Sequence, residues 1–164
     1  MQLNISGKCK VMIFSFQQML QEEAEEIANE WKYSGIYSFY DITTDEKDYA
    51  ELVNQTKRSN NYFSCYVDNE LVAYYSVDIV DENKAEIGLG LRPEFTGRGY
   101  GLNFVNEVMI HITSWSGVTN FMLSVALFNQ RAIKVYKKAG FSEVEVYMQN
   151  TNGNTYEFIR MIKN

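Results

Sequence analysis

Leu89-Gly-Leu-Arg-Pro-Glu-Phe-Thr-Gly-Arg-Gly-Tyr-Gly-Leu102 is the stretch in which this chain declares its architecture. A strand-like apolar run ends at Leu91, a short polar turn containing Pro93 follows, and Gly97, Gly99 and Gly101 open an amphipathic segment. Glycine lets a backbone turn sharply and lets a ligand come close to main-chain amides. A helix N-terminus adds unpaired N–H donors and the positive end of the helix dipole. Strand, glycine turn and helix together make a cradle for a phosphate-bearing ligand. Two other phosphate loops are excluded: no Gly-Lys-Ser/Thr occurs, and the glycine spacing is not that of a dinucleotide-binding turn.

Working outward, residues 85–91 read as a strand. Side-chain alternation puts Ala85, Ile87, Leu89 and Leu91 on one face and Glu86, Gly88 and Gly90 on the other. Paired glycines in a strand mark a close approach to the backbone by a ligand arm, or else a bulge or tight packing against a neighbouring aromatic. Glu86 is the one carboxylate on that face. Strands at 62–67 and 71–78, joined through Asp68-Asn-Glu70, precede it, and a turn at Asp81-Glu-Asn-Lys84 leads in. Downstream, a helix over about 99–115 buries Leu102, Val105, Val108, Met109 and Ile112. A strand at 120–126, a helix at 130–138 stopped by Gly140, and a pair at 142–148 and 155–162 turning at Asn152-Gly153 follow.

The first 60 residues read as a strand at 9–15, a helix at 16–31 and a second helix at 45–56. Phe16, Met19, Leu20, Ile27 and Trp31 form the first helix's buried stripe, and Glu22, Glu23, Glu25, Glu26 and Glu30 its solvated face. The aromatic stretch Tyr33-Ser-Gly-Ile-Tyr-Ser-Phe-Tyr40 either walls a pocket or caps the core. The pattern predicts an α/β (α+β) fold in a single domain, residues 1–164. Its central sheet is mixed, with antiparallel hairpins and one parallel pair, and is flanked by helices.

Charge narrows the function classes. The 15 basic against 21 acidic residues give a net charge of −6. That argues against nucleic-acid binding and suits a cationic or amine-bearing partner. Cys9 and Cys65 have no close spacing, and the single His111 lies in a helical pattern, so no metal site, disulfide framework or His-based triad is expected. No targeting segment and no bilayer-length apolar run is read; a cytoplasmic location without membrane attachment is the expectation.

A second constellation lies at Asn129-Gln-Arg-Ala-Ile-Lys-Val-Tyr136, followed by Ala139-Gly-Phe141. Asn129 and Tyr136 are two helical turns apart and share a face, with small Ala132 between them. Asn129 can cap the helix, contact a ligand, or do both.

Taken together, Thr96-Gly-Arg-Gly-Tyr-Gly101 and the Asn129, Ala132, Tyr136, Gly140-Phe141 series resemble the GNAT superfamily of acetyl-CoA-dependent N-acetyltransferases. The family signature begins with Arg or Gln where this chain has Thr96. The resemblance implies a GNAT-like, mostly antiparallel central sheet with a splayed parallel strand pair and about four flanking helices. It implies acetyl-CoA as co-substrate and no metal. Main-chain groups of Leu89, Gly90 and Leu91 would pair with the pantetheine arm, and the segment Gly97, Arg98, Gly99, Tyr100, Gly101 and Leu102 would hold the pyrophosphate. Asn129 would contact the arm. Tyr136 would protonate the leaving thiolate, and Glu86 would serve as general base, directly or through water. Ser124, where other members carry their base, is a poor one.

The implied activity is acetyl transfer to a primary amine of a small molecule or peptide by direct attack in a ternary complex. A non-catalytic acyl-CoA-sensing module and a transferase for a longer acyl group are the alternatives. A homodimer is one of the assemblies left open.

Overall fold

The computed structural model describes residues 12–164. Cys9 and the first three residues of the strand expected at 9–15 lie outside them, and of the rest only Ser15 is in a strand. The elements are β1 (Ser15–Gln18), α1 (Gln21–Glu30), α2 (Glu46–Val53), α3 (Gln55–Arg58), β2 (Tyr62–Val67), β3 (Glu70–Asp81) and β4 (Lys84–Leu91). After the glycine turn come α4 (Gly101–Ser116), β5 (Asn120–Ala126), α5 (Gln130–Lys138), β6 (Ser142–Thr151) and β7 (Asn154–Lys163). Short 3₁₀ turns at Gly35–Tyr40, Ile42–Thr44 and Pro93–Phe95 fill the irregular connections.

Seven strands form one sheet in the order β1-β2-β3-β4-β5-β7-β6. Every neighbouring pair is antiparallel except β4 with β5. Two tight turns follow from local chemistry. Asp68 and Asn69 (φ 50° and 64°), and Asn152 and Gly153 (φ 50° and 72°), adopt the left-handed conformations that a two-residue hairpin demands. The mixed, mostly antiparallel sheet expected from the sequence is what the chain forms.

Each face of the sheet carries its own core. On one, Phe104, Val105, Val108 and Ile112 of α4 and Ile133 of α5 pack on Tyr75, Ile87, Phe121 and Leu123. On the other, Ala24, Ile27, Ala28 and Trp31 with Leu52 of α2 pack on Leu71 and Tyr74. Among the described residues no helix is long and apolar enough to cross a membrane.

The N-terminal third departs from the sequence reading. Phe16 is a strand residue, paired with Cys65 at the sheet edge, and α1 starts only at Gln21. Leu20 precedes the helix and is 49% exposed rather than on the buried stripe. The helix predicted over 45–56 breaks at Asn54, whose Oδ1 accepts the Lys57 N–H (3.0 Å) and starts α3. Tertiary pairing and capping decided these boundaries, and the apolar periodicity shows neither.

Glu23 also leaves the solvated face assigned to it. It is 6% exposed. Its Oε2 accepts the Ser64 hydroxyl (2.5 Å) and the Leu20 N–H (2.8 Å), and its Oε1 accepts the Gln17 side-chain amide (3.1 Å). One carboxylate thereby joins α1, its own N-terminus and β2. Glu23→Ala strands the buried Ser64 hydroxyl and is expected to cost about 1–3 kcal/mol. Urea unfolding monitored by circular dichroism measures it; a midpoint equal to wild type would contradict this hub role.

Candidate active site

The parallel pair is where the sheet opens. β4 and β5 are in register only at Lys84 with Asn120, Ala85 with Phe121 and Glu86 with Met122. Beyond Glu86 the strands diverge: β4 continues beside β3 as far as Leu91, and β5 beside β7 as far as Ala126. A fork of this shape leaves main-chain groups of one strand without a strand partner. Their direction follows from the ladder. The Arg92 N–H donates to the Val72 carbonyl on β3 (2.8 Å). Alternation along the strand then turns Leu89 and Leu91 toward the fork, and Gly88 and Gly90 toward β3. Across the fork, the Ser124 hydroxyl of β5 is buried and finds no hydrogen-bond partner among the described residues.

A cavity of about 540 Å³ runs through this opening. One half is walled by Gly97, Gly99 and Gly101 of the glycine turn and by Ala132 and Val135 of α5. Gly97 and Gly99 have φ of 71° and 83°, conformations that residues with a Cβ rarely adopt. Gly101 faces α5, where a Cβ would stand in ordinary contact with the Val135 methyls at 3.4 Å. The first turn of α4 has no side-chain cap, so its amides stay available to a ligand. The Thr96 hydroxyl donates to the Pro93 carbonyl (2.7 Å), so it serves the turn itself.

The other half is aromatic and acidic. Tyr33, Tyr37, Phe39 and Tyr40 line it, joined by Asp41, Asp48 and Tyr74 and by Gln149 and Asn152 of the last hairpin. The aromatic stretch at 33–40 thus walls a pocket. The Tyr33 hydroxyl donates to the Leu91 carbonyl (2.6 Å), closing the tip of the fork. Asp45 is structural: its carboxylate accepts amides of α2 and, across the fold, the Asn152 N–H (2.9 Å). Asp41 uses Oδ1 to accept the Tyr33 N–H (2.8 Å). Neither Asp41 nor Asp48 is in an ion pair with a cation among the described residues. Partial burial, reinforced by the charge of Asp45, lifts the Asp48 carboxyl above its ordinary range.

Asn129, Ala132 and Tyr136 all line the cavity, as their spacing predicts. Asn129 caps α5 by accepting the Ala132 N–H (3.2 Å) and donates its other amide end to the Tyr40 hydroxyl (3.1 Å). It therefore ties α5 to the aromatic wall. Tyr136 is held edge-on to Phe141 with ring centroids 6.0 Å apart. Burial, and then the neighbouring Tyr40, push its phenol above the ordinary tyrosine value, so it stays protonated.

Other expected residues fall elsewhere. Glu86 is exposed at the closed end of the fork, one residue before the cavity wall begins at Ile87. Arg98 is exposed, Tyr100 packs on Phe95 (5.9 Å), and Leu102 packs against the core; none of the three lines the cavity. The face of β4 that reads as bare is occupied. A Cβ on Gly90 would lie 2.2 Å from the Tyr74 ring, and one on Gly88 2.6 Å from the Ser76 hydroxyl. These glycines make room for β3 side chains, the packed-aromatic alternative of the sequence reading. Cys65 is fully buried, its thiol pushed up by burial, and is not on the cavity wall. His111 is likewise remote, stacked on Phe16 and bonded through Nδ1 to the Tyr75 hydroxyl (2.7 Å).

Residues 17–141 match the model of the acetyltransferase (GNAT) family. The chain belongs to the GNAT family. Solved structures agree in fold. A spermidine N-acetyltransferase from Vibrio cholerae, in complex with CoA and spermine, is 18% identical, with 91% of this chain and 94% of that one covered at a TM-score of 0.71. A GNAT-family acetyltransferase from Bacillus anthracis is 12% identical, with 93% and 95% covered at 0.70. A chimera of the Vibrio cholerae enzyme and hSSAT is 18% identical, with 92% and 94% covered at 0.69. In this GNAT domain the fork, the glycine turn and the Asn129–Tyr136 face border one cavity.

Proposed function

We propose that this GNAT domain transfers an acetyl group from acetyl-CoA to a primary amine of a small molecule or peptide, by direct attack while both substrates are bound. The single observation carrying this is the fork between β4 and β5, continuous through one cavity with the glycine turn. The residues present fit a CoA-type arm. Leu89 turns main-chain groups toward the opening, the Ser124 hydroxyl waits unpartnered across it, and glycine-turn and α4 amides lie at its end for a diphosphate. Bound there, acetyl-CoA would supply an activated carbonyl and a thiolate leaving group.

The chain's own groups supply the rest. Tyr136 holds a proton on its phenol beside the arm and gives it to the departing thiolate. Asn129 fixes the α5 end and the Tyr40 hydroxyl. The acidic, aromatic half receives the acceptor, because unpaired Asp41 and Asp48 carboxylates attract an ammonium. An alkylammonium with a pKa near that of lysine, about 10.4, must lose a proton before it can attack. Glu86 is assigned that proton through water, since it stands outside the wall, and Asp48 holds the cation. The structural neighbours named for spermidine make polyamines the first acceptors to try.

Calorimetric titration with CoA, followed by thiol release from acetyl-CoA across polyamines, amino sugars and peptide N-termini, tests the reading. Saturable CoA binding and turnover with an amine are expected. Binding without transfer to any amine would favour the sensing role, and no saturable binding would end the enzyme reading. Asp48→Asn is expected to raise KM for a cationic amine about tenfold with CoA affinity unchanged. Glu86→Gln is expected to lower kcat most at low pH, where the free amine is scarcest. An Asp48→Asn variant with wild-type KM would remove Asp48 from the acceptor site.

A further inference from the structure

A proton given up by Tyr136 has to be replaced. Once its phenol has protonated a departing thiolate, Tyr136 is a tyrosinate in surroundings that disfavour the charge, because burial pushes the phenol toward its protonated form. The replacement must come quickly and from a neighbour on the cavity wall. Tyr40 is placed to supply it.

The Asn129 side chain decides which way the Tyr40 proton points. Its Oδ1 accepts the Ala132 N–H (3.2 Å) as the cap of α5, so the end facing Tyr40 is Nδ2, which can only donate (3.1 Å). The Tyr40 oxygen is therefore an acceptor toward Asn129, and its own O–H is left to point elsewhere, on a side chain that lines the cavity. The ring is held edge-on to Phe39 (5.1 Å) and beside Phe128 (6.0 Å). Burial raises the Tyr40 phenol as it does that of Tyr136, so both rest protonated and a proton passes between like groups.

Tyr136 approaches the same point from α5. It stands two turns beyond Asn129 on one face with small Ala132 between, and a long helical side chain leans toward the helix N-terminus. That lean sends its hydroxyl toward the Asn129 end, where Tyr40 is tied. Tyr40 is also the one titratable neighbour whose charge bears on the Tyr136 phenol. On its other side Tyr40 belongs to the aromatic wall of the acceptor half, next to Asp41. It thus stands between the two halves of the cavity.

We propose that Tyr40 completes a two-tyrosine proton path, taking a proton from the acceptor nitrogen and passing its own to Tyr136. The path rests on the acetyl-transfer reading above. As the amine nitrogen bonds the acetyl carbon and the carbon–sulfur bond breaks with its electron pair on sulfur, nitrogen holds one proton too many and sulfur one too few. The nitrogen proton moves to the Tyr40 oxygen, the Tyr40 proton to the Tyr136 oxygen, directly or across one water, and the Tyr136 proton to sulfur. Both phenols end as they began, and the amide and thiol leave neutral. Glu86 keeps its separate task, taking the first proton from the ammonium before attack.

Single-turnover acetyl transfer on the full chain, with whichever amine of the panel above turns over, isolates this step. Tyr40→Phe removes one oxygen and keeps the ring. It is expected to lower the rate about 10²-fold, with CoA affinity near wild type by calorimetry. Two readouts separate a proton path from a structural role. In mixtures of light and heavy water the wild-type rate should curve against deuterium fraction, because several protons move together, and Tyr40→Phe should make the plot straight. In a double-mutant cycle, Tyr40→Phe added to Tyr136→Phe should cost almost nothing further, because both break one path. A wild-type rate in Tyr40→Phe, a straight wild-type plot or additive losses would overturn the path while leaving acetyl transfer intact. Loss of CoA affinity in step with the rate would overturn it too, because that marks a structural defect. A wild-type chain that transfers acetyl to no amine is a separate result, which removes the functional reading itself.

Discussion

Tyr136→Phe is expected to lower kcat by about 10²–10⁴, the range for loss of a positioned proton donor, with CoA affinity near wild type. The substitution removes one oxygen and keeps the ring that packs edge-on to Phe141, so the fold has little reason to respond. Three observations converge on this residue. It lines the cavity on the α5 face shared with Asn129 and Ala132. The Asn129 amide fixes Tyr40 next to it. Burial also raises its phenol pKa and so keeps it protonated. Stopped-flow thiol release from acetyl-CoA with a saturating amine gives kcat, and CoA titration gives affinity. A variant with full kcat across the pH range would show that the thiolate leaves without Tyr136.

Gly90→Ala tests the structural reassignment of the strand glycines. Its new Cβ would sit 2.2 Å from Cε1 and 2.6 Å from Cζ of Tyr74. No Cβ tolerates such a contact, so the ring must move. It is a half-buried ring, 6.0 Å from Trp31, on the wall of the acceptor half. Overpacking of this kind costs about 1–3 kcal/mol. The expected result is a lower unfolding midpoint and a raised KM for the amine. CoA affinity should hold, because the main-chain groups of Gly90 face β3. In a Tyr74→Ala background, Gly90→Ala should add little further loss of stability, a non-additivity that a double-mutant cycle measures. Selective loss of CoA binding with unchanged stability would instead mean that the arm lies over Gly90.

How much was legible depended on how local the cause was. The glycine turn and its helix, the hairpins turning near Asp68-Asn69 and Asn152-Gly153 and the Asn129–Ala132–Tyr136 face were all readable, because each is set by φ preference or by spacing within one element. The sequence reading makes both hairpin connections longer than the two residues they have. The start of α1 was not: Phe16 joins a strand only because Cys65 lies opposite it. Glu23 resembles its solvent-facing neighbours until Ser64 arrives from β2. Buried Arg58, which donates to the Leu52 carbonyl and to Gln21 (3.1 Å), gave no sign of burial in its own stretch. Tyr40 passed as one aromatic among several in its stretch, since its partner Asn129 is far away along the chain.

From its residues alone, this chain committed to a mixed sheet, to a phosphate-compatible turn at 97–101 and to a polar helix face at 129–136, because backbone conformation and helical pitch act over a few residues. Only the folded arrangement decided that β4 and β5 part after Glu86, that Tyr74 fills the space over Gly90, and that two carboxylates line the cavity walled by Asn129 and Tyr136. Those outcomes depend on which distant side chains share a volume, and packing settles that across the whole fold at once.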